Sequence, residues 1–309
     1  MTMPASLNEN PVIDRVAFLS GQWIPQSELS VAVDDAGFLQ AATAVERLRT
    51  YGGRLFRADA HLQRWSKTTR FLRIDTLPSL PDVNQLIAEL LDRNASFVAS
   101  QPDIGVTLFA TPGQQHARPT FGIHLNLIDD VSNQRRITQG QSLVITDVVQ
   151  PSPLSWPRSV KVRSRLHYYS ADRVTQSITA DGTGALVETD GSLTETGIAN
   201  LAVVIGSTVY SPPDETILHG VTQQFVEELV LQESIQWTKQ RLTRQLLAEA
   251  DEVLLMGTTT GLWFADRYCF ASQFDSELPA PNWHPLTCRG PVFQTLRRSF
   301  DTAVGQPAG

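Results

Sequence analysis

The sequence predicts an α+β protein built of two domains. Its 309 residues exceed what one hydrophobic core ordinarily fills. Strand-type and helix-type patterns mix in both halves, and the second half is richer in strands. The hydrophobic fraction of 41% and charged fraction of 18% are those of an ordinary globular chain. The expected layout is a small N-terminal α/β domain over 1–128, a polar, Gly-containing linker over 129–142, and a larger β-rich domain over 143–309.

The elements follow in order. Residues 1–11 are polar and expected to fray. The stretch VAFLSGQWIPQSELSVAVDDAGF reads as short strands with turns at Ser20-Gly21 and Asp34-Asp35. AVERLRTYGGRLFRA reads as a hairpin around Gly52-Gly53, a dipeptide that accepts positive φ. Asp59 is a candidate cap for the helix AHLQRWSKTTRFLRI, with Leu62, Trp65 and Leu72 near helical spacing. PDVNQLIAELLDRN is a second helix, and IGVTLFATPG and TFGIHLNLI are strand runs. The second half opens with the strand LVITDVV. A Pro-rich stretch then leads through KVRSRLHYYSADRVTQSI into a helix. GALVETDGSLTETG is a hairpin turning at Asp190-Gly191, and LAVVIGSTVYSPP is another. GVTQQFVEELVLQ is an amphipathic helix. DEVLLMGTTTGLWFA is a strand running into a turn of small residues.

The bulk properties exclude some functions. A net charge of −7 argues against a nucleic-acid partner, which requires a basic face. No run of about 18 apolar residues is present, so no membrane span is expected. MTMPASLNENP has no basic segment leading into an apolar one, and so does not read as a signal peptide. Cys269 and Cys288 make neither a disulfide framework nor a metal motif. The expectation is a reduced, cytoplasmic setting and no metal.

Five features could carry chemistry. Glu195 lies among small polar residues in LTETGIANLAVV, at the edge of an apolar run. A buried carboxylate is costly unless paired, so either Glu195 is exposed or something cationic sits against it. Gly220 and Thr222 precede a helix whose first N–H groups can bind an anion; equally, Gly220 makes a turn and Thr222 caps the helix. MGTTTG, 256–261, offers hydroxyls and backbone N–H groups to an anion, or is a polar turn. Arg64 either snorkels to water or meets a buried anion. Lys161, between Val160 and Val162, would point opposite to both in a strand. Enclosed, its amine is desolvated and suits a Schiff base; exposed, it is an ordinary surface lysine. A cationic ring with an aldehyde and a phosphate arm would use all five features.

In that order the motifs HLQRW, LVETDGSLTETGIANLAVV, VYSPPDETILHGVTQ and DEVLLMGTTTG resemble the fold-type IV pyridoxal-phosphate enzymes. These are the class IV aminotransferases, including branched-chain aminotransferases, D-amino acid transaminases and aminodeoxychorismate lyases. The resemblance spans nearly the whole chain. It implies pyridoxal 5′-phosphate as cofactor, held by Lys161 as a Schiff base, with the same lysine moving the substrate Cα proton. It implies that Glu195 pairs with the ring nitrogen and Leu218 packs on the ring face. Arg64, the N–H groups of Val221 and Thr222, and the Thr258 hydroxyl would bind the phosphate. Asn200 matches a family position in the strand after the acid. Val45, Thr107 and Thr259 would line the substrate pocket.

The departures from the resemblance bear on substrate. QAATAVE at 40–46 replaces a YGDGVFE-like run. Val45 stands where D-amino acid transaminases show a substrate-facing tyrosine, and Pro112 where they carry an arginine. Glu46 stands where lyase-type members tend to carry threonine. Arg163, Arg165, His167, Tyr168 and Tyr169 either line a different pocket or are surface and dimer contacts. The reading is an aminotransferase moving an amino group between an amino acid or amine and a keto acid, in a homodimer. The alternatives are a 4-aminobenzoate-forming lyase and a non-catalytic homologue.

Overall fold

The computed structural model describes residues 14–115, 118–274 and 280–306, so the expected fraying of 1–11 lies outside the described residues. The first part of the chain forms β1 (Val16–Leu19), β2 (Gln22–Pro25), α1 (Ala36–Leu39), β3 (Ala44–Tyr51), β4 (Arg54–Leu55), α2 (Ala58–Phe71), α3 (Leu80–Arg93), α4 (Ala95–Ala99), β5 (Ile104–Thr111) and β6 (Thr120–Leu127). Its six strands pair antiparallel in the order β2-β1-β6-β5-β3-β4. The expected hairpin joins β3 to β4, with Gly52 and Gly53 at φ 56° and 76°, the positive values that a two-residue turn of this twist requires.

Strand alternation sorts the two faces of this sheet. Ala44, Leu48, Val106, Leu108, Ile123 and Leu125 pack on Leu62 and Trp65 of α2 and on Ile87 and Leu90 of α3. Val45, Arg47, Thr107 and Asn126 lie on the other face and line a cavity. One helix start differs from expectation. Arg57, at φ 48°, occupies the cap position of α2, and Asp59 lies in the first turn, where a carboxylate complements the helix dipole.

The segment 129–142, expected as a linker, is largely helical: α5 (Asp130–Gln139). Its cap is Asp129, whose carboxylate accepts the Ser132 N–H at 3.0 Å. The segment is polar because the helix lies on the surface, with Asn133 its one buried residue.

The remainder forms β7 (Gln141–Val149), α6 (Leu166–Ile178), β8 (Thr183–Val187), β9 (Leu193–Thr196), β10 (Asn200–Ile205), β11 (Thr208–Ser211), α7 (Val221–Gln232), β12 (Gln236–Lys239), α8 (Arg244–Ala248), β13 (Glu252–Gly257), β14 (Gly261–Ala271), β15 (His284–Pro285) and α9 (Pro291–Val304). Six strands close on themselves in the order β10-β13-β14-β7-β8-β9, and the closing pair is Asn200 opposite Glu195. Leu201, Val203, Val253, Leu255 and Trp263 fill the inside of this barrel. Ala202, Val204, Leu254, Met256 and Phe264 face outward under α7 and α9, and Ala171 of α6 covers Val148 and Leu186. With both faces buried, NLAVVI and EVLLMG read as continuous apolar runs instead of alternating ones.

Candidate active site

Lys161 is not in a strand, contrary to the sequence expectation. Pro151, Pro153 and Pro157 remove backbone donors from its approach, and only one bridge forms, Val162 with Ala44. Contacts from β3 and α2 hold the residue instead. Its carbonyl accepts the Val45 N–H at 3.0 Å, and its N–H donates to Thr68 Oγ1 at 3.1 Å. The side chain is half-buried and lines the cavity. Burial, helped by the Arg64 charge, lowers its pKa to about 8, so the neutral amine is accessible near physiological pH. The chain has three lysines. Lys67 is exposed on α2, and Lys239 is paired with Asp214 and Glu227. Lys161 alone lines this cavity.

Glu195 lies at the barrel seam, 4% exposed. Its Oε1 accepts from Tyr168 Oη at 2.8 Å and Gln150 Nε2 at 3.1 Å. Its Oε2 accepts from the Leu218 N–H at 3.0 Å and Asn200 Nδ2 at 3.1 Å. Burial pushes its carboxyl pKa up, and these donors pull it back only in part. Burial and the neighbouring Glu195 push the Tyr168 phenol well above its ordinary value, so it remains a donor. Four neutral donors leave a carboxylate ready for a cation in front of it.

Beside the seam is the start of α7, where Leu218 and Gly220 lie against Glu195 and Asn200. Gly220 caps α7 with no side-chain hydrogen bond, so Thr222 is not a cap, and the first N–H groups of the helix are left for another acceptor. A Cβ on Gly220 would lie 2.0 Å from Asn200 Oδ1, so only glycine fits there while Asn200 keeps its place. Arg64 reaches this end from α2. Glu46 grips it by two bonds, Nη2 to Oε1 at 2.7 Å and Nε to Oε2 at 2.9 Å, while Nη1 donates to the His219 carbonyl at 3.1 Å. His61 Nδ1 lies 2.9 Å from the same carboxylate. Burial alone would raise the Glu46 pKa, but Arg64 and His61 outweigh it and hold the group well below the usual carboxylate range. Burial lowers the His61 pKa, so its neutral ring donates through Nδ1. Glu46 therefore acts through Arg64 and does not line the cavity. The turn from Gly257 to Gly261 completes this end, with Thr258 and Thr259 on the cavity wall.

The cavity holds about 270 Å³. Lys161, Glu195, Arg64, Leu218, Val221, Thr222, Thr258, Val45, Thr107 and Thr259 all line it, as do Arg163, Arg165 and Tyr168, whereas Tyr169 is exposed at 62%. Sequence reasoning missed Arg47, Asn126 and Gln150. The signal for Arg47 was available: AVERLRTY places three charges in one strand, and a strand interior rarely holds a charge without a partner.

Residues 43–268 match the sequence model of the amino-transferase class IV family. The chain belongs to that family. The D-alanine aminotransferase of Bacillus licheniformis is 25% identical over 248 residues, 78% of this chain and 83% of that protein. The branched-chain amino acid aminotransferase of Escherichia coli superposes with a TM-score of 0.79 at 17% identity, covering 94% of each chain. The T.th. branched-chain amino acid aminotransferase solved with pyridoxamine 5′-phosphate gives a TM-score of 0.75 at 18% identity, again over 94% of each. The fold is the α+β fold-type IV. Class IV aminotransferases use pyridoxal 5′-phosphate, and this protein is such an enzyme, acting on small amino and keto compounds.

The residues present fit that cofactor. A buried carboxylate with neutral donors suits a protonated ring nitrogen. An uncapped helix start beside an arginine suits a phosphate. The one lysine of the cavity suits an aldehyde.

Proposed function

We propose that this cavity is the transamination site and that Lys161 carries the cofactor in it. The observation that supports this most strongly is that Lys161, Glu195 and the start of α7, from three separate segments, line one cavity. Bound there, the cofactor supplies an electron sink that allows the amino group to leave or join a substrate carbon. Lys161 Nζ would hold the cofactor aldehyde and, once displaced by the substrate amine, would be free to take the substrate Cα proton. Glu195 would keep the ring nitrogen protonated, and Leu218 would pack on the ring. Arg64, fixed by Glu46 and His61, binds the phosphate with the Val221 and Thr222 N–H groups and the Thr258 hydroxyl. Val45, Thr107 and Thr259 face the substrate. An amino acid or amine is the donor and a keto acid the acceptor.

Glu46 does not discriminate between transamination and the lyase reaction, because it contacts Arg64 and not the cavity. Nothing in the site favours the lyase or a non-catalytic homologue. We further propose two domains meeting at α5, and a homodimer: Leu154, Leu166 and Ile198 are exposed at 96%, 76% and 49%, and Ile198 is at the cavity wall. The free thiols Cys269 and Cys288 suit a reducing, cytoplasmic setting.

Borohydride treatment of the cofactor-loaded protein tests the lysine. The cofactor should be fixed on the peptide containing Lys161, and Lys161→Ala should lose both the visible absorbance band and turnover, the latter by more than about 10³-fold. Cofactor fixed on Lys67 or Lys239 would overturn the assignment. Cofactor uptake by the empty protein should quicken as pH rises through about 8, where Lys161 loses its proton.

A further inference from the structure

We propose that Arg47, Arg163 and Arg165 form a second anion subsite, which selects amino and keto acids carrying a carboxylate on the side chain as well as on Cα. The inference rests on the reading of this cavity as the transamination site. Its first support is a contrast among arginines. The four buried ones, Arg49, Arg64, Arg158 and Arg297, are each paired with a carboxylate: Asp103, Glu46, Glu188 and Asp301. The three cavity arginines have no carboxylate within 4.0 Å among the described residues. Unpaired guanidinium groups in a partly enclosed space repel one another. Burial lowers the pKa of Arg47 and of Arg163, and the neighbouring guanidinium in each case adds to the effect, Arg163 on Arg47 and Arg165 on Arg163.

Geometry gives the second support. Arg47 projects from the cavity face of β3, opposite Thr107, and lies over Gly105. A Cβ there would be 3.5 Å from Arg47 Nη2. Asn126 Nδ2 donates to Thr107 Oγ1 at 2.7 Å beside it. Arg163 and Arg165 approach from the lysine loop. The Arg163 N–H is held by the Thr43 carbonyl at 3.0 Å, and Arg165 stacks over Tyr168, 4.5 Å from the ring centroid, while donating to the Gly197 carbonyl. The group therefore spans both sides of the cavity. Arg64 and the start of α7 account for the cofactor phosphate. The substrate α-carboxylate neutralises one further guanidinium. Asp172 lies near Arg165, so a side chain such as that of alanine or leucine would leave Arg47 or Arg163 without a counter-charge, whereas a second carboxylate forms charge-assisted bonds there. Both half-reactions use one site, so donor and acceptor would share the preference.

The test is the amino half-reaction of the cofactor-loaded enzyme, followed by loss of the absorbance band. Both enantiomers of aspartate, glutamate and 2-aminoadipate are compared with alanine and leucine. A dicarboxylic substrate should exceed alanine and leucine at least tenfold in kcat/KM. Arg47→Gln and Arg163→Gln should each cut that ratio at least tenfold, while Arg135→Gln, at a surface pair with Asp181, leaves it unchanged. By calorimetry glutarate should bind the wild type at least tenfold more tightly than butyrate, which serves even if a variant fails to fold. Equal or better use of alanine or leucine, or an unchanged ratio in both cavity variants, would overturn the subsite. If no amino acid changes the band, the transamination reading of the cavity falls, and the glutarate comparison still decides the subsite.

Discussion

The C-terminal barrel buries both faces of its strands, whereas the N-terminal sheet buries one and turns the other to the cavity. In the barrel, polar groups on the cavity come from its edges: Glu195 and Asn200 at the seam, the start of α7, and the turn between β13 and β14. In the sheet they come from strand interiors, Arg47, Thr107 and Asn126. The difference suggests a division of labour. On the proposed reading of the cavity, barrel edges hold what every substrate needs, and the sheet face meets what distinguishes one substrate from another. The exception is Arg64, which crosses from the sheet's helix α2 to the start of the barrel's helix α7, held by Glu46 and the His219 carbonyl.

Breaking that exception should have the largest effect. Glu46→Ala leaves the Arg64 charge buried and unpaired, and removing one partner of such a pair costs about 3–5 kcal/mol. Urea unfolding of the cofactor-free protein should show this loss, and cofactor retention should weaken with it. The sign with pH follows from the depressed pKa. The wild-type contribution is complete above the ordinary glutamate value of about 4.3 and fades only in strongly acidic solution, as pH falls through the lowered native value. The difference between wild type and variant should therefore persist at pH 5. A loss below about 1 kcal/mol, the scale of an exposed pair, would mean that Arg64 finds solvent instead.

A second change separates the regions by substrate. Glu195→Gln places an amide NH2 against two of the four donors, costing about 1–3 kcal/mol of stability. It should leave the cofactor attached, yet slow turnover about 10–100-fold, the scale of a hydrogen bond to a charged group. The slowing should be the same for every substrate, because the seam meets the ring and not the side chain. Slowing confined to one class of amino acid would erase the distinction between seam and sheet.

The sequence made the barrel edges legible because each is a local signal: a glycine before a helix, hydroxyls between glycines, an acid at the end of an apolar run. Hairpins at Gly52-Gly53 and Asp190-Gly191 were legible for the same reason. Three features were not. The helix α5 has only two large apolar residues, the exposed Val131 and Ile137, which packs on the barrel core, so it shows no periodic apolar face, and its cap Asp129 reads as loop. The support of Lys161 comes from Val45 and Thr68, far away in sequence, and local pattern suggested a strand in its place. The partnership of Glu46, His61 and Arg64 joins a strand to a helix, and neither periodicity nor spacing announces which charges will meet. Arg47 was visible as a charge in a strand, but its lack of a partner is a fact of packing.

The smallest expected effect sharpens the same contrast with one kind of substitution in two places. Gly52→Ala adds a methyl group where nothing lies within 4 Å, so its cost is that of a left-handed backbone for an L-residue, about 1–2 kcal/mol. Thermal unfolding should register it, with kcat and KM unchanged. Gly220 has an ordinary φ of −69°, so alanine there carries no backbone penalty, but its Cβ would displace Asn200 from the bonds to Glu195 and to the Leu218 carbonyl. Gly220→Ala should therefore weaken cofactor binding and slow every substrate, and also lower the melting temperature, because buried Asn200 loses two bonds. If the two variants differ only in stability and not in cofactor binding, the seam is a structural closure of the barrel and not a support of the ring.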